Sequence, residues 1–214
     1  VSIGLVTVVH GDTYRAFLPE WIEAAARLET APDCYGIVTE LITSDLLSMV
    51  KDMPCSGTVI RSTTTFSHHP QVLVNEAIQA CDTEWICKMD VDDLLLPHAF
   101  NHLPEDADIL MFGIQVNSPQ GAYNLLPSDF RHQDVLDVEN NLVFSGSPFR
   151  KWLWHGNPFR DMLFEDWAFW IGCAKQQARF TASQQADYIY RLADHNISLG
   201  VDEGYWRAVV RSLK

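Results

Sequence analysis

The chain has 214 residues, which suits one sizeable hydrophobic core and is small for two. Its 47% hydrophobic and 20% charged content is that of a globular fold, and no apolar run approaches the roughly 18 residues of a membrane span. A formal net charge of −13 disfavours nucleic acid and anionic lipid faces as partners, although a local patch built from Arg131, Arg150, Lys151 and Arg160 would override that mean.

The elements follow in chain order. Ser2–Val9 is almost entirely β-branched or apolar and predicts a strand buried on both faces, not a leader peptide. His10-Gly11-Asp12 is a turn signal. Thr13–Leu28 carries Phe17, Leu18, Trp21, Ile22, Ala25 and Leu28 at helical spacing, and Pro19 sets the start of the regular helix. Tyr35–Thr43 and Thr58–Ser62 predict two more strands. His68-His69-Pro70 precedes a helix over Gln71–Cys81, with Leu73, Ala77, Ile78 and Cys81 on one face. Strands over Trp85–Met89 and Asp108–Val116 complete an alternation of strand and helix, which predicts an α/β fold with a largely parallel sheet flanked by helices. Ser118–Asn124 is turn-rich, and Phe144–Phe159 is dense in aromatics, glycine and proline. Glu165–Gln177 predicts a helix with acidic residues in its first turn, and Phe180–Ala193 one or two short strands. The five cysteines, Cys34, Cys55, Cys81, Cys87 and Cys173, show no CxxC spacing, so reduced thiols and a cytoplasmic setting are expected rather than a cysteine zinc site.

The stretch richest in chemistry is Trp85-Ile86-Cys87-Lys88-Met89-Asp90-Val91-Asp92-Asp93. Three carboxylates at the end of a buried strand repel one another unless solvated or neutralised by a cation, and a hard divalent ion prefers oxygen ligands. The competing reading is an acidic turn that caps a following helix, with Asp93 the residue most readily given to that cap. In open α/β sheets ligands bind beyond the carboxyl ends of the strands, where this cluster sits. Glu165-Asp166 at a helix start is either a cap or the source of a general base. His195, in Asp194-His195-Asn196, is either an ordinary histidine or a neutral imidazole contact to a metal. Trp152, Trp154, Trp167 and Trp170 are core candidates, of which one or two would pack on a sugar face if exposed.

Taken together, these pieces resemble the family 2 glycosyltransferases, and the resemblance runs from Val1 to about Leu199. It is carried by the opening strand, by Asn75 in Val74-Asn75-Glu76-Ala77, by Asp90-Val91-Asp92-Asp93 after a strand, by Glu165-Asp166 opening a helix, and by Tyr190-Arg191 followed by His195. The resemblance implies a GT-A fold in one domain over residues 1–214, with a nucleotide-sugar half to about residue 100 and an acceptor half beyond it. It implies inverting, metal-dependent transfer of a sugar from a nucleotide diphosphate, a UDP-sugar foremost, to a hydroxyl on a glycan or other acceptor. Asp92, Asp90 and His195 would hold Mn²⁺ or Mg²⁺, and Asp166 would be the general base. Val9, His10, Asp12, Asn75, Asp90, Trp154, Glu165 and Arg191 would contact substrates. The chain departs from the family pattern where Glu40-Leu41-Ile42-Thr43-Ser44-Asp45 replaces an acidic strand end, and in the longer spacing between Arg191 and His195. Two further readings stand beside it: a GT-A module that binds without turnover, and a haloacid dehalogenase-type phosphatase with Asp90 as nucleophile.

Overall fold

A computed structural model describes residues 1–51, 53, 57–61, 73–128, 132–137, 141–192 and 202–213. The first half runs β1 (Ile3–Val9), α1 (Gly11–Arg15), α2 (Leu18–Ala26), β2 (Cys34–Thr39), α3 (Ser44–Lys51), β3 (Gly57–Arg61), α4 (Val74–Ala80) and β4 (Trp85–Lys88). The second half runs β5 (Leu94–Leu95), β6 (Ile109–Ser118), β7 (Gly121–Leu125), α5 (His132–Asp137), β8 (Phe149–Arg150), α6 (Lys151–His155), α7 (Glu165–Lys175), β9 (Phe180–Arg191) and α8 (Glu203–Arg211). The described strands join one sheet in the order β3-β2-β1-β4-β8-β6-β9-β5, with β7 paired to β6.

The α/β alternation predicted for the first half is present, and β3, β2, β1 and β4 are mutually parallel. Pro19 sits in the first turn of α2, where its missing N–H costs nothing. Because strand side chains alternate, β1, β4 and β6 feed two separate cores. Leu5, Trp85, Cys87 and Phe112 face α2 and its Trp21, while Val6, Ile86, Met111 and Phe149 face α4, α6 and α7. Burial on both faces explains why these strands read as continuous apolar runs rather than alternating ones. Gly36 in β2 lets α4 approach closely, since a Cβ there would lie 3.0 Å from the Ala77 carbonyl oxygen.

Several elements differ from the sequence expectation. The strand expected over Tyr35–Thr43 stops at Thr39, because the Thr43 hydroxyl accepts the Leu46 N–H at 3.1 Å and opens α3. Ser118–Asn124 turns only briefly, then pairs back as β7, an entirely exposed strand that leaves no hydrophobic signature. Phe180–Arg191 forms one strand of 12 residues, not two short ones. No helix follows the acidic cluster directly, so Asp93 does not cap one: residues 91–93 turn into β5. The helices α3, α5, α6 and α8 and the short strand β8 fall where the sequence pattern predicts no element. No helix among the described residues is long and apolar enough to cross a membrane.

Strand β9 runs parallel to β6 with a register shift on either side of Gly113. There the Gly113 N–H donates to Asp187 Oδ2 at 3.0 Å, and a Cβ at Gly113 would lie 2.1 Å from the Gln185 carbonyl oxygen. The bulge thus needs glycine for space. Gly113→Ala is expected to cost about 1–3 kcal/mol of stability. Urea denaturation checks this, and an unchanged midpoint would count against the bulge as drawn.

Candidate active site

The site is built where β4 ends. Met89 N–H still donates to the Val6 carbonyl at 2.9 Å, and the chain then leaves the sheet through Asp90. A turn closes with Asp93 N–H on the Asp90 carbonyl at 3.1 Å. Asp93 is 3% exposed, and its Oδ1 accepts the Arg191 backbone N–H at 2.9 Å, which ties the turn to the end of β9. Burial first, then the neighbouring Asp90 and Asp92 charges, push the Asp93 carboxyl up, against the pull of that hydrogen bond. Asp92 is also buried, whereas the Asp90 side chain is 41% exposed.

The second acidic pair arrives from α7. Phe164, the residue before the helix, has φ 58° and ψ 39°, a left-handed conformation costly for a bulky L-residue. That bend delivers Glu165 and Asp166 in the first helical turn to the end of β4. Phe164 itself offers no side-chain hydrogen bond to α7, and the Asp166 carboxylate takes a backbone hydrogen bond from Trp167 in the first turn. Asp166 Oδ2 also accepts from Asn141 Nδ2 at 3.0 Å.

Lys88 joins the two acidic groups. Its ammonium lies 3.0 Å from Asp90 Oδ1, 3.0 Å from Glu165 Oε1 and 3.1 Å from Ser145 Oγ, and Ser145 donates in turn to Asp90 Oδ2 at 3.3 Å. Burial alone would push this ammonium down, but Asp90, Glu165 and Asp166 outweigh it and hold Lys88 above the ordinary lysine range. One cation does not balance the carboxylates. Asp166 is pushed up to about 7, by burial first and then by Glu165, with Lys88 pulling the other way. The Tyr14 phenol is pushed up to about 12, by burial and then by Asp92 and Asp90.

These groups line one cavity of about 520 Å³, together with His10, Asn141, Ser145 and an apolar wall that includes Ile114, Tyr123, Leu125 and Leu192. The His10 ring lies 4.3 Å from that of Tyr14, tilted by 33°, and burial lowers its pKa against the opposing charges of Glu40 and Asp90. The donor set at the acidic end is all oxygen, and its negative field still reaches Tyr14, which suits a hard divalent cation. No group of three or more His, Cys, Asp or Glu side chains with ligand spacing occurs among the described residues. A cation on Asp90 and Asp92 would draw its other ligands from a diphosphate and water, a common arrangement for Mg²⁺.

Of the residues singled out from sequence, Asp90, Asp92, Glu165, Asp166 and His10 line this cavity. Val9 lines a second cavity of about 250 Å³ with Thr39 and Leu46. Asp12 is an exposed partner of Arg15. Asn75 and Trp154 are bonded to each other, Trp154 Nε1 donating to Asn75 Oδ1 at 2.7 Å, and Asn75 also holds both the N–H and the carbonyl of Phe159. Neither lines the cavity. Arg191 reaches Glu20 at 2.9 Å and lies over the Phe17 ring, away from the cavity lining. His195 lies outside the described residues, as do His68, His69, Pro70 and Arg131. Of the basic patch, Arg150 pairs with Glu84 and stacks on Trp85, and Lys151 donates to the Cys81 carbonyl.

The sequence reading missed Lys88, Ser145, Asn141, Tyr14 and Glu40. Lys88 carried a signal, since a lysine inside an apolar strand must find an anion. Glu40 follows the end of β2 and accepts the Gly11 N–H at 2.8 Å, a placement visible only once β2 is known to stop at Thr39. Ser145 and Asn141 sit in irregular chain that carries no pattern.

The chain matches no family model and no curated protein by sequence. Its structure is similar to S. aureus TarS residues 1–349, with a TM-score of 0.66 and 15% identity over 89% of this chain and 60% of that one. The complex of that protein with UDP-GlcNAc matches with a TM-score of 0.66 and 12% identity over 92% of this chain and 60% of that one. The mannosyltransferase PcManGT from Pyrobaculum calidifontis, in complex with GDP-Man and Mn²⁺, matches with a TM-score of 0.62 and 15% identity over 91% of this chain and 58% of that one. The chain thus spans about three fifths of the length of these structures. Likeness at this identity shows the fold, and the fold is GT-A. It sets aside the phosphatase reading, which needs a different arrangement of strands around its nucleophile.

Two outcomes test this geometry. Lys88→Met leaves Glu165 buried without its cation and is expected to cost about 3–5 kcal/mol in chemical denaturation, with Glu165→Gln added to it restoring part of the loss. The second concerns Asp166, whose folded pKa of about 7 stands above the ordinary carboxylate value near 4. The folded state therefore keeps a proton that the unfolded chain gives up, so this stabilisation is complete below about pH 4 and is lost as pH rises through 7. Asp166→Asn, which stays neutral, should match the wild-type Tm at pH 4 and exceed it at pH 8. Equal Tm values at both pH values would contradict the assignment.

Proposed function

We propose that this chain is an inverting glycosyltransferase of family 2 that moves a sugar from a nucleotide diphosphate to an acceptor hydroxyl. The observation that carries the reading is the convergence of Asp90 and Asp92 with Glu165 and Asp166 in one cavity, joined by Lys88. The GT-A fold supports it, as do the nucleotide and nucleotide-sugar complexes of its structural neighbours. A cavity of about 520 Å³ has room for a sugar diphosphate and part of an acceptor.

In this reading Asp92 and Asp90 hold Mn²⁺ or Mg²⁺. The ion supplies Lewis-acid neutralisation of the leaving diphosphate when bound. Lys88 fixes Asp90 and carries part of the compensating charge. Asp166, kept in orientation by Asn141, accepts the proton of the acceptor hydroxyl as that oxygen attacks the anomeric carbon. A carboxyl held near pKa 7 is well matched to a base working at neutral pH. Attack opposite the leaving group inverts the configuration through an oxocarbenium-like transition state. His10 borders the donor nucleotide, a UDP-sugar foremost, and the acceptor approaches along the apolar wall. By the family resemblance alone, His195 would add a contact to the metal or the diphosphate. The reading places residues 1–214 in one GT-A domain.

A thermal-shift panel of UDP- and GDP-sugars with and without Mn²⁺ is the direct test. A matching donor should raise Tm only with the metal present, and Asp92→Ala should abolish that shift. Asp166→Asn should keep the shift and lose roughly 10²–10⁴-fold in turnover. A donor shift independent of metal, or near-wild-type turnover in Asp166→Asn, would sink the corresponding assignment.

A further inference from the structure

Cys34 begins β2 and Cys81 follows the last turn of α4, at the end of the sheet opposite the cavity. The Cys34 thiol is directed at Cys81 Sγ, with the two sulfur atoms 2.7 Å apart, well inside their ordinary contact distance. Cys34 is half-buried and Cys81 fully buried. The other described thiols have no such partner. Cys87 is buried and directs its thiol to the Gly146 carbonyl at 3.2 Å, while Cys173 is buried against Asn157.

We infer that Cys34 and Cys81 are a redox-active pair that closes to an intramolecular disulfide when a small-molecule disulfide is present. The Cys34 thiol is lowered to about 7, first by its hydrogen bond with Cys81, with smaller help from Thr58 and Lys151 and opposition from burial and Asp33. A partly exposed cysteine with that much thiolate at neutral pH is the competent attacker. The Cys34 thiolate attacks one sulfur of oxidised glutathione, forming a mixed disulfide and releasing one glutathione thiolate. Cys81 then loses its proton and attacks the Cys34 sulfur, releasing the second glutathione thiolate. Two protein thiols are oxidised, and one small-molecule disulfide is reduced to two thiols. The bridge joins positions 47 residues apart, so it restricts a long loop of the unfolded chain and ties α4 to the central sheet.

The test uses the full chain and does not depend on any transferase activity. After incubation with oxidised glutathione and acid quench, peptide mapping without reductant should show a Cys34–Cys81 crosslink. Two fewer thiols should alkylate under denaturing conditions. Tm should rise by roughly 5–10 °C and return on adding dithiothreitol. Cys34→Ser should remove both the crosslink and the shift. A stable glutathione adduct on Cys34 with Cys81 still alkylated, a bridge through Cys55 instead, or unaltered thiols would each overturn the proposal.

Discussion

The arrangement depends on one buried ammonium. Lys88 is the last residue of β4, and its side chain is 4% exposed. Burying that charge is tolerable only with anions in contact, and Asp90 and Glu165 meet it from two different elements. The first comes from the turn after β4, the second from the first turn of α7, and Ser145 adds a third contact from the chain between them. The pairing fixes how the C-terminal end of the parallel strands sits against the helix that follows the irregular segment. The two acidic motifs occupy one cavity because a single cation is shared between them.

That sharing leaves the cluster short of positive charge. Asp90, Asp92, Glu165 and Asp166 line the cavity beside one lysine, with Asp93 buried at its edge. Burial first, and then the unbalanced carboxylates, hold the proton on Asp166 to near neutral pH and make Tyr14 resist ionisation. The left-handed Phe164 belongs to the same picture. Its conformation is unfavourable by itself, and the Lys88–Glu165 contact and the packing of α7 against the second core hold it in place.

Legibility in the sequence followed burial. β1, β2, β4 and β6 are flanked by helices or strands on both faces, so each announces itself as an apolar run, and the parallel sheet followed from their alternation with helices. The strand β7 faces solvent along its whole length, while α3 and α8 are amphipathic but only eight and nine residues long. A solvent-facing strand is held by pairing, which leaves little trace in hydropathy, and helices this short fall below the window over which helical periodicity reads clearly. Asn75 and Trp154 show the converse. Both residues stand out in the sequence, and in the structure they serve one another and the Phe159 backbone.

By itself the sequence determined the class of fold and the two acidic motifs, because alternating buried strands and helices and clustered carboxylates are local patterns. Only the tertiary structure decided that Asp90 and Glu165 meet across Lys88, that Asp93 anchors β9 rather than a helix, and that Cys34 lies against Cys81. Those pairings join residues far apart along the chain, and their partners are chosen by the register of the sheet and the packing of α4 and α7 upon it. No local pattern encodes that choice.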